Sequence, residues 1–196
     1  MYEKGVEFLV KKNKKEGIMQ LNEAIKIFPN YFLALHRIGR ELYLLKNYKD
    51  AVPFFFKAAE INPKSANSFY YLGYSLNHLG KEFNKSAMAS LNQALILAPA
   101  SIQVLYALGK VEREEGNFQE AEKRLLQAKK LSKNPIPEIH KELAQLYAND
   151  LKKYKEAADE LELYLKASRL SDDEEKKTKK IITDLRAKFS SSSGKS

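Results

Sequence analysis

Apolar residues recur along the chain at intervals of three and four, and polar segments interrupt them at regular distances. Leu35, Ile38 and Leu42 form one run, and Ala51 and Phe55 begin the next. This spacing places apolar side chains on one face of an α-helix. The polar segment "KNYKD" between the runs predicts a turn. The two runs therefore predict a pair of antiparallel helices.

Small residues return at the same places in successive helix pairs, at steps of 34 or 36 residues. The recurring sets are Gly39, Gly73 and Gly109; Ala51, Ala87 and Ala121; Ala58, Ala94 and Ala128; and Pro29, Pro63 and Pro99. A single globular core has no reason to repeat in register, so this period predicts a solenoid. The glycines and alanines are expected to let facing helices approach closely, and the prolines to end each second helix. Pro53 is expected in the first turn of a helix that begins near Asp50, where a missing N–H costs nothing.

This arrangement resembles the tetratricopeptide-repeat family. The resemblance rests on "LHRIGRELYLLKNYKDAVPFFFKAAEINP" and its echoes. It implies an all-α fold, a right-handed superhelical solenoid of antiparallel helix pairs. The expected repeats span residues 1–31 (with a truncated first helix), 32–65, 66–101, 102–136 and 137–167. The truncated first helix suggests that the chain belongs to a longer protein.

The later repeats depart from the family pattern at two positions. The fourth has Glu112 where a large apolar residue is usual. The fifth has Tyr164 where alanine is expected, and one extra residue in its turn. After the repeats, an apolar stripe over residues 172–189 predicts a helix that caps the solenoid, with a dimer seam or a membrane-surface helix as the alternatives. Residues 190–196 are expected to be a disordered tail.

The resemblance implies that the first helices of the repeats line a concave groove that binds partners. The positions on these helices that are not needed for packing are His36, Arg40, Tyr43, Tyr70, Tyr74, Asn77, Tyr106, Lys110, Arg113 and Lys141. Tyrosine offers a large contact area with few rotors to immobilise, and basic side chains favour acidic groups. Packing against neighbours is the alternative interpretation of the tyrosines, and Tyr71 is assigned to it.

Composition narrows the function classes. The formal net charge of +9 favours acidic partners. Cysteine is absent, and the three histidines fall in different repeats without a second ligand at metal-binding spacing. No catalytic or phosphate-binding motif is present. These features predict a protein with no enzymatic activity, metal, cofactor or small-molecule substrate. No apolar segment reaches the length of a membrane span, so a soluble chain is expected, with the cytoplasm slightly favoured and the compartment left open.

The predicted function is that of a protein–protein interaction scaffold. Its groove would bind an extended or helical, acidic segment of another protein. One alternative is an architectural spacer or self-association module within a larger protein, with self-association through residues 172–189. A second is a binder of single-stranded nucleic acid, which would use basic charge and stacking rings. Nucleic acid is disfavoured because much of the positive charge lies in "KKNKK" and in the terminal helix, away from the rings.

Overall fold

The computed structural model describes residues 1–193, with side chains to residue 191. Within this range the fold is all-α, with eleven α-helices in two compact units. The first unit is Met1–Pro99, and the second begins at Ala100. Each unit is built from consecutive antiparallel helix pairs. The predicted all-α fold of paired helices is therefore confirmed.

The first unit contains three helix pairs. Its helices are α1 (Tyr2–Val10), α2 (Lys14–Ile27), α3 (Phe32–Leu44), α4 (Tyr48–Ile61), α5 (Ala66–Asn77) and α6 (Asn84–Leu97), with a 3₁₀ turn at Lys81–Phe83. Each odd-numbered helix packs on the next, and α2 and α4 also pack on the first helix of the following pair. Between the first two pairs, Leu9, Leu21, Ala34 and Ile38 form a buried cluster.

The second unit contains two helix pairs and a terminal helix. Its elements are α7 (Ile102–Glu114), α8 (Phe118–Leu131), α9 (Pro137–Gln145), a π-helical turn (Leu146–Asp150), α10 (Tyr154–Ala167) and α11 (Asp172–Ser193). Helix α11 packs on α10 and buries Ile182 and Leu185. In the structure this helix ends at Ser193, four residues beyond the predicted boundary at Phe189. Ser190 and Ser191 donate hydroxyl hydrogen bonds to carbonyls of the preceding turn. The rest of the predicted tail, 194–196, lies outside the described residues.

The recurring glycines are packing residues, as the sequence predicted. A Cβ atom on Gly73 would lie 2.7 Å from Cγ of Leu91 and 2.8 Å from the carbonyl oxygen of Ala87. On Gly39 it would lie 3.0 Å from the ring of Phe55. These distances are at or below the limit of ordinary carbon contacts, so glycine allows each first helix to lie against the second helix of its pair.

The start of α4 differs from the prediction. The side chain of Asn47 accepts a hydrogen bond from the backbone N–H of Asp50, and the helix begins at Tyr48. Asparagine is a favoured N-cap because its oxygen satisfies a backbone N–H that has no partner within the helix. Pro53 is therefore the sixth residue of the helix and lies beyond the first turn, so the prediction for Pro53 is wrong.

Candidate functional site

Aromatic rings in the first unit form a connected network on α3, α4 and α5. Ring centroids lie 4.4–6.3 Å apart along it. The rings belong to Phe32, His36, Tyr43, Tyr48, Phe55, Tyr70, Tyr71, Tyr74 and His78. All are within the 47 residues from Phe32 to His78. The repeat brings them together because it places equivalent faces of successive first helices side by side.

Tyr43 lies at the centre of this network. Its ring centroid is 4.9 Å from Tyr71, 5.3 Å from Tyr74 and 5.8 Å from Tyr48, with the planes 66–70° apart. Edge-to-face contacts of this kind contribute about 0.5–1.5 kcal/mol beyond the burial of area. Tyr70 joins through Tyr74, at 5.9 Å. We call the half-buried rings of Tyr43, Tyr48, Tyr70 and Tyr74 the tyrosine surface.

The base of the network is packed into the core. Tyr71 stacks on the fully buried Phe55, with centroids 5.1 Å apart and an interplanar angle of 14°. His36 contacts both rings, and its Nε2 atom is buried without a hydrogen-bond partner in the described part of the chain. Burial lowers the pKa of His36, and the positive charge of Arg40 lowers it further, so the imidazole is neutral near pH 7. This position explains why Tyr71 is a packing residue.

The tyrosine hydroxyls are protonated. Burial raises the pKa of Tyr43 far above its usual range and that of Tyr70 to about 12; it also raises the pKa of Tyr74. A neutral phenol can donate a hydrogen bond to a carbonyl or a carboxylate, whereas a phenolate can only accept. The surface therefore combines apolar ring area with hydrogen-bond donors.

Arg40 is a cation on the same helix as Tyr43 of the tyrosine surface. It lies three residues before Tyr43 and four after His36, so the three side chains share one face of α3. Arg37, on the same helix, pairs with Glu41 at 3.4 Å. Arg40 has no carboxylate within ion-pair distance among residues 1–193. The guanidinium is thus the charged group available to a partner at this face.

The basic residues predicted on α7 are compensated within the second unit. The Arg113 guanidinium donates to Asp150 at 2.6 Å, to Glu142 at 2.8 Å and to Gln145 at 3.1 Å. Burial acts to lower the pKa of Arg113, but the hydrogen bonds to the two carboxylates outweigh it and raise that pKa. Lys110 has Glu114 at 3.9 Å. Arg113 therefore ties α7 to α9 and to the π-helical turn.

The remaining predicted residues lie in different surroundings. Asn77 donates to the buried side chain of Asn84 at 2.9 Å, which links α5 to α6. The ammonium of Lys141 lies 5.8 Å from the ring centroid of Tyr164. Tyr106 is half-buried on α7. Of the ten predicted residues, the ring network joins four: His36, Tyr43, Tyr70 and Tyr74.

Three members of the network were not predicted from the sequence: Phe32, Tyr48 and His78. Tyr48 begins α4 and His78 is the C-cap of α5, so neither lies at a groove position within a first helix, whereas Phe32 is the first residue of α3. The signal for Tyr48 was present, since Phe118 and Tyr154 also begin second helices. An aromatic residue that recurs at the turn lies next to the end of the first helix.

Comparison with known proteins identifies the repeat. Residues 33–65 match the family model described as "Tetratricopeptide repeat". The resemblance to the tetratricopeptide-repeat family is thus confirmed over this segment. The matched segment contains α4 and all of α3 but its first residue, and it includes His36, Arg40, Tyr43 and Tyr48. Proteins of this family mediate protein–protein interactions and are typically non-catalytic. No curated protein matches the chain at a significant level of sequence similarity.

Three solved structures illustrate the similarity of fold. MamA from Desulfovibrio magneticus is 22% identical, with a TM-score of 0.75 over 86% of this chain and 93% of that one. YrrB, described as a tetratricopeptide-repeat protein with an unusual peptide-binding site, is 18% identical, with a TM-score of 0.72 over 84% and 82%. PilW, a type IV pilus biogenesis factor, is 19% identical, with a TM-score of 0.74 over 100% and 93%. At these identities the similarity shows the fold alone.

Two further properties concern the described residues as a whole. None of their helices is both long and apolar enough to cross a membrane. No three histidine or acidic side chains among them are grouped so that they could hold a metal ion.

Proposed function

We propose that the protein is a non-catalytic interaction protein that binds an extended segment of a partner on the tyrosine surface. The observation that supports this most strongly is the cluster of Tyr43, Tyr48 and Tyr74 on the surface of the first unit, in which Tyr43 contacts the other two rings edge to face. These rings already contact one another, so binding would immobilise few additional side chains. Preorganised aromatic residues with polar tips are the side chains on which protein interfaces depend most.

We further propose that the segment carries an acidic group that pairs with Arg40. Arg40 lies three residues before Tyr43 on the same face of α3 and has no carboxylate within ion-pair distance in the described part of the chain, and the phenol of Tyr43 is a neutral donor. Such a pair at a surface contributes modestly to affinity and more to the choice of partner. A peptide-binding site is also described for YrrB, which has the same fold.

Selection from a phage-displayed library of random peptides tests this proposal. We expect the parent protein to enrich peptides that combine apolar or aromatic residues with Asp or Glu. The double variant Tyr74→Ala/Arg40→Glu should lose these peptides, with affinity reduced by a factor of about 100. A matched control is Phe56→Ala/Lys64→Glu, which makes the same kinds of change at exposed positions of the same unit and should retain the peptides.

Two results would contradict the proposal. One is enrichment of the same peptides by the Tyr74→Ala/Arg40→Glu variant, since binding would then occur elsewhere. The other is enrichment of no peptide at all, combined with tight binding of a single-stranded oligonucleotide or concentration-dependent dimerisation in sedimentation experiments. Those results would favour the nucleic-acid or the self-association alternative.

A further inference from the structure

The turns that join the first and the second helix of each pair lie side by side in the first unit. Leu9, near the end of α1, and Leu42, near the end of α3, pack in one hydrophobic cluster, so the first two turns are neighbours. The ring centroid of Tyr48 lies 4.4 Å from that of His78, which places the second turn beside the third. We call these turns the turn edge; they are residues 10–16, 44–50 and 78–86.

Apolar side chains are exposed on all three turns of this edge. The exposed fraction is 72% for Val10, 51% for both Leu44 and Leu45, and 37% for Phe83. The equivalent turn of the fourth repeat, "EEGNFQE" at residues 114–120, has glutamates in place of the two leucines and contains no lysine. The fold of a helix pair therefore does not require apolar residues at these positions. Single exposed apolar residues are common, but several gathered on one edge indicate an interaction surface.

Lysines surround these apolar side chains. The turn edge contains eight lysines and three acidic residues, a formal net charge of +5, whereas the first unit as a whole carries +6. Seven of the eight lysines are exposed. Of the eight, only Lys11 has a carboxylate within ion-pair distance in the described part of the chain, that of Glu7 at 2.6 Å. The acidic residues of the edge are Glu16, Asp50 and Glu82. The positive charge of the first unit is thus concentrated where the apolar side chains are exposed.

Two of these lysines occupy a backbone position that favours glycine. The φ angles of Lys12 and Lys46 are +61° and +58°, whereas the equivalent residues of the third and fourth repeats are Gly80 and Gly116. A residue with a Cβ has a steric cost in this left-handed region that glycine avoids. Lys152 of the second unit has the same conformation, but its ammonium donates to a backbone carbonyl at 2.6 Å. Lys12 and Lys46 make no side-chain hydrogen bond or ion pair within residues 1–193, so no internal contact offsets the cost.

We propose that the turn edge docks on the surface of a lipid bilayer that contains anionic headgroups. Leu44, Leu45 and Phe83 would enter the boundary between headgroups and acyl chains, and the lysines beside them would contact the phosphates and carboxylates of the headgroups. Lysine suits this place because its long stem lets the ammonium stay in the headgroup layer while apolar neighbours lie deeper.

A lipid surface fits this edge better than a nucleic acid does. A nucleic acid would satisfy the lysines, but the aliphatic side chains would stay exposed because they cannot stack on bases as aromatic rings do. The turn edge shares only Tyr48 with the tyrosine surface, and the proposal does not use that ring. The inference therefore goes beyond the proposed function and does not depend on it.

Co-sedimentation of the full chain with lipid vesicles tests the proposal. We expect the chain to bind vesicles of phosphatidylcholine that contain about 30% phosphatidylserine, and not vesicles of phosphatidylcholine alone. Lys12→Gly/Lys46→Gly should weaken this binding at least about fivefold, because it removes two of the contacting charges. The melting temperature of this variant should be at or above that of the parent, because glycine removes the steric cost, so weaker binding would not reflect unfolding.

A charge-matched control separates the turn edge from general attraction to a basic protein. Lys4→Gln/Lys64→Gln removes two charges from exposed positions of the same unit that lie outside the three turns. These charges are screened from a bilayer that contacts the turn edge, so vesicle binding should change by less than about twofold.

Tryptophan fluorescence tests whether the apolar side chains enter the bilayer. The chain contains no tryptophan, so Leu45→Trp introduces a single reporter. With anionic vesicles its emission should shift to shorter wavelength and be quenched by lipids brominated on the acyl chains. Phe56→Trp places the reporter at an exposed position of α4 outside the turn edge and should show neither effect. Leu44→Ser/Phe83→Ser should weaken vesicle binding at least about fivefold, whereas Phe56→Ser/Ile96→Ser should change it by less than about twofold.

Three results would overturn the proposal. The first is the absence of binding to the vesicles that contain phosphatidylserine. The second is equal weakening by the two pairs of lysine variants. The third is an unshifted emission of Leu45→Trp in vesicle-bound protein, since charge alone would then hold it. If an oligonucleotide then bound more tightly than the vesicles, and Lys12→Gly/Lys46→Gly weakened that binding, the turn edge would be a nucleic-acid surface instead.

Discussion

At the scale of single residues, Gly73 shows why a helix contains a residue that disfavours it. Glycine costs about 1 kcal/mol relative to alanine inside a helix, so Gly73→Ala would be stabilising if only local preference mattered. The new Cβ would, however, lie 2.8 Å from the carbonyl oxygen of Ala87, which is backbone and cannot rotate away. We expect Gly73→Ala to lower the free energy of unfolding by about 1–3 kcal/mol, measured by urea denaturation.

Gly39→Ala is the matched control for this prediction. Its nearest neighbour is the ring of Phe55 at 3.0 Å, and no backbone atom is among the nearest contacts. A ring can shift by a few tenths of an ångström, so the cost should be smaller than that of Gly73→Ala. Equal costs at the two positions would mean that helix separation is not what Gly73 determines.

Glu112 is a buried acid that departs from the apolar pattern of its repeat. Only 7% of its surface is exposed, its Oε2 atom has no hydrogen-bond partner in the described part of the chain, and Nε of Arg124 lies 3.6 Å from Oε1. Burial raises the pKa of Glu112 above the ordinary value of 4.5, and Arg124 offsets this only in part. The folded state therefore holds this proton more tightly than the unfolded state does.

The sign of the pH effect follows from this difference in proton binding. As pH rises from about 4.5 through the raised pKa, the unfolded chain releases the proton more readily, and the contribution of Glu112 to stability falls. Glu112→Gln does not titrate. We expect the stability of this variant relative to the parent to increase as pH is raised from 4 to 7, measured by urea denaturation at each pH. A difference that is constant over this range, or that shrinks, would contradict the assignment.

At the scale of elements, Pro53 is a local defect within α4. It is the sixth residue of the helix and is exposed. Proline cannot donate the backbone hydrogen bond to the residue four positions earlier, Lys49, and its ring crowds that carbonyl. We expect Pro53→Ala to raise the free energy of unfolding by about 1–3 kcal/mol in urea denaturation. Glu60→Ala, at another exposed position of the same helix, should change it by less than about 0.5 kcal/mol. Loss of stability on Pro53→Ala would show that the ring makes packing contacts that outweigh the missing hydrogen bond.

The sequence predicted the helix pairs well because their signals are local and recur. Apolar spacing and small residues at fixed positions appear in each repeat, and the structure places Gly73 and Ala94 in helix contacts as expected. The sequence showed that the turn of the fifth repeat has one extra residue, but it did not predict the backbone conformation of that turn. It is accommodated by a π-helical turn, Leu146–Asp150, whose Asp150 is held by Arg113 from α7.

The candidate site was harder to predict because it depends on pairing across repeats. The sequence placed Tyr70 and Tyr74 on one face correctly, since both lie on a single helix. It did not predict that Arg113 pairs with Glu142 and Asp150, because these residues lie 29 and 37 positions further along the chain and no local pattern relates them to Arg113. The basic character expected of the groove is consequently reduced in the second unit, whereas Arg40 in the first unit keeps an available charge.

At the scale of the whole molecule, the positive charge is distributed unevenly along the chain. Residues 1–99 contain fourteen Lys and Arg against eight Asp and Glu, a formal net charge of +6 of the total of +9. The unit that contains the tyrosine surface is therefore also the more basic one. A field of this sign accelerates the approach of an acidic segment over distances comparable to the Debye length, which is about 10 Å at 0.1 M salt.

This distribution predicts that salt acts mainly on association. For an acidic peptide selected on the tyrosine surface, raising NaCl from about 20 to 300 mM should lower the association rate constant about tenfold and change the dissociation rate constant less than about threefold. Surface plasmon resonance measures both constants. Arg40→Gln removes only one of the many charges that produce the field, so association should change little. It also removes the charge expected to contact the peptide, so the variant should mainly accelerate dissociation. If salt instead accelerates dissociation as much as it slows association, then ion pairs within the complex, rather than the field of the whole unit, would account for the preference for acidic segments.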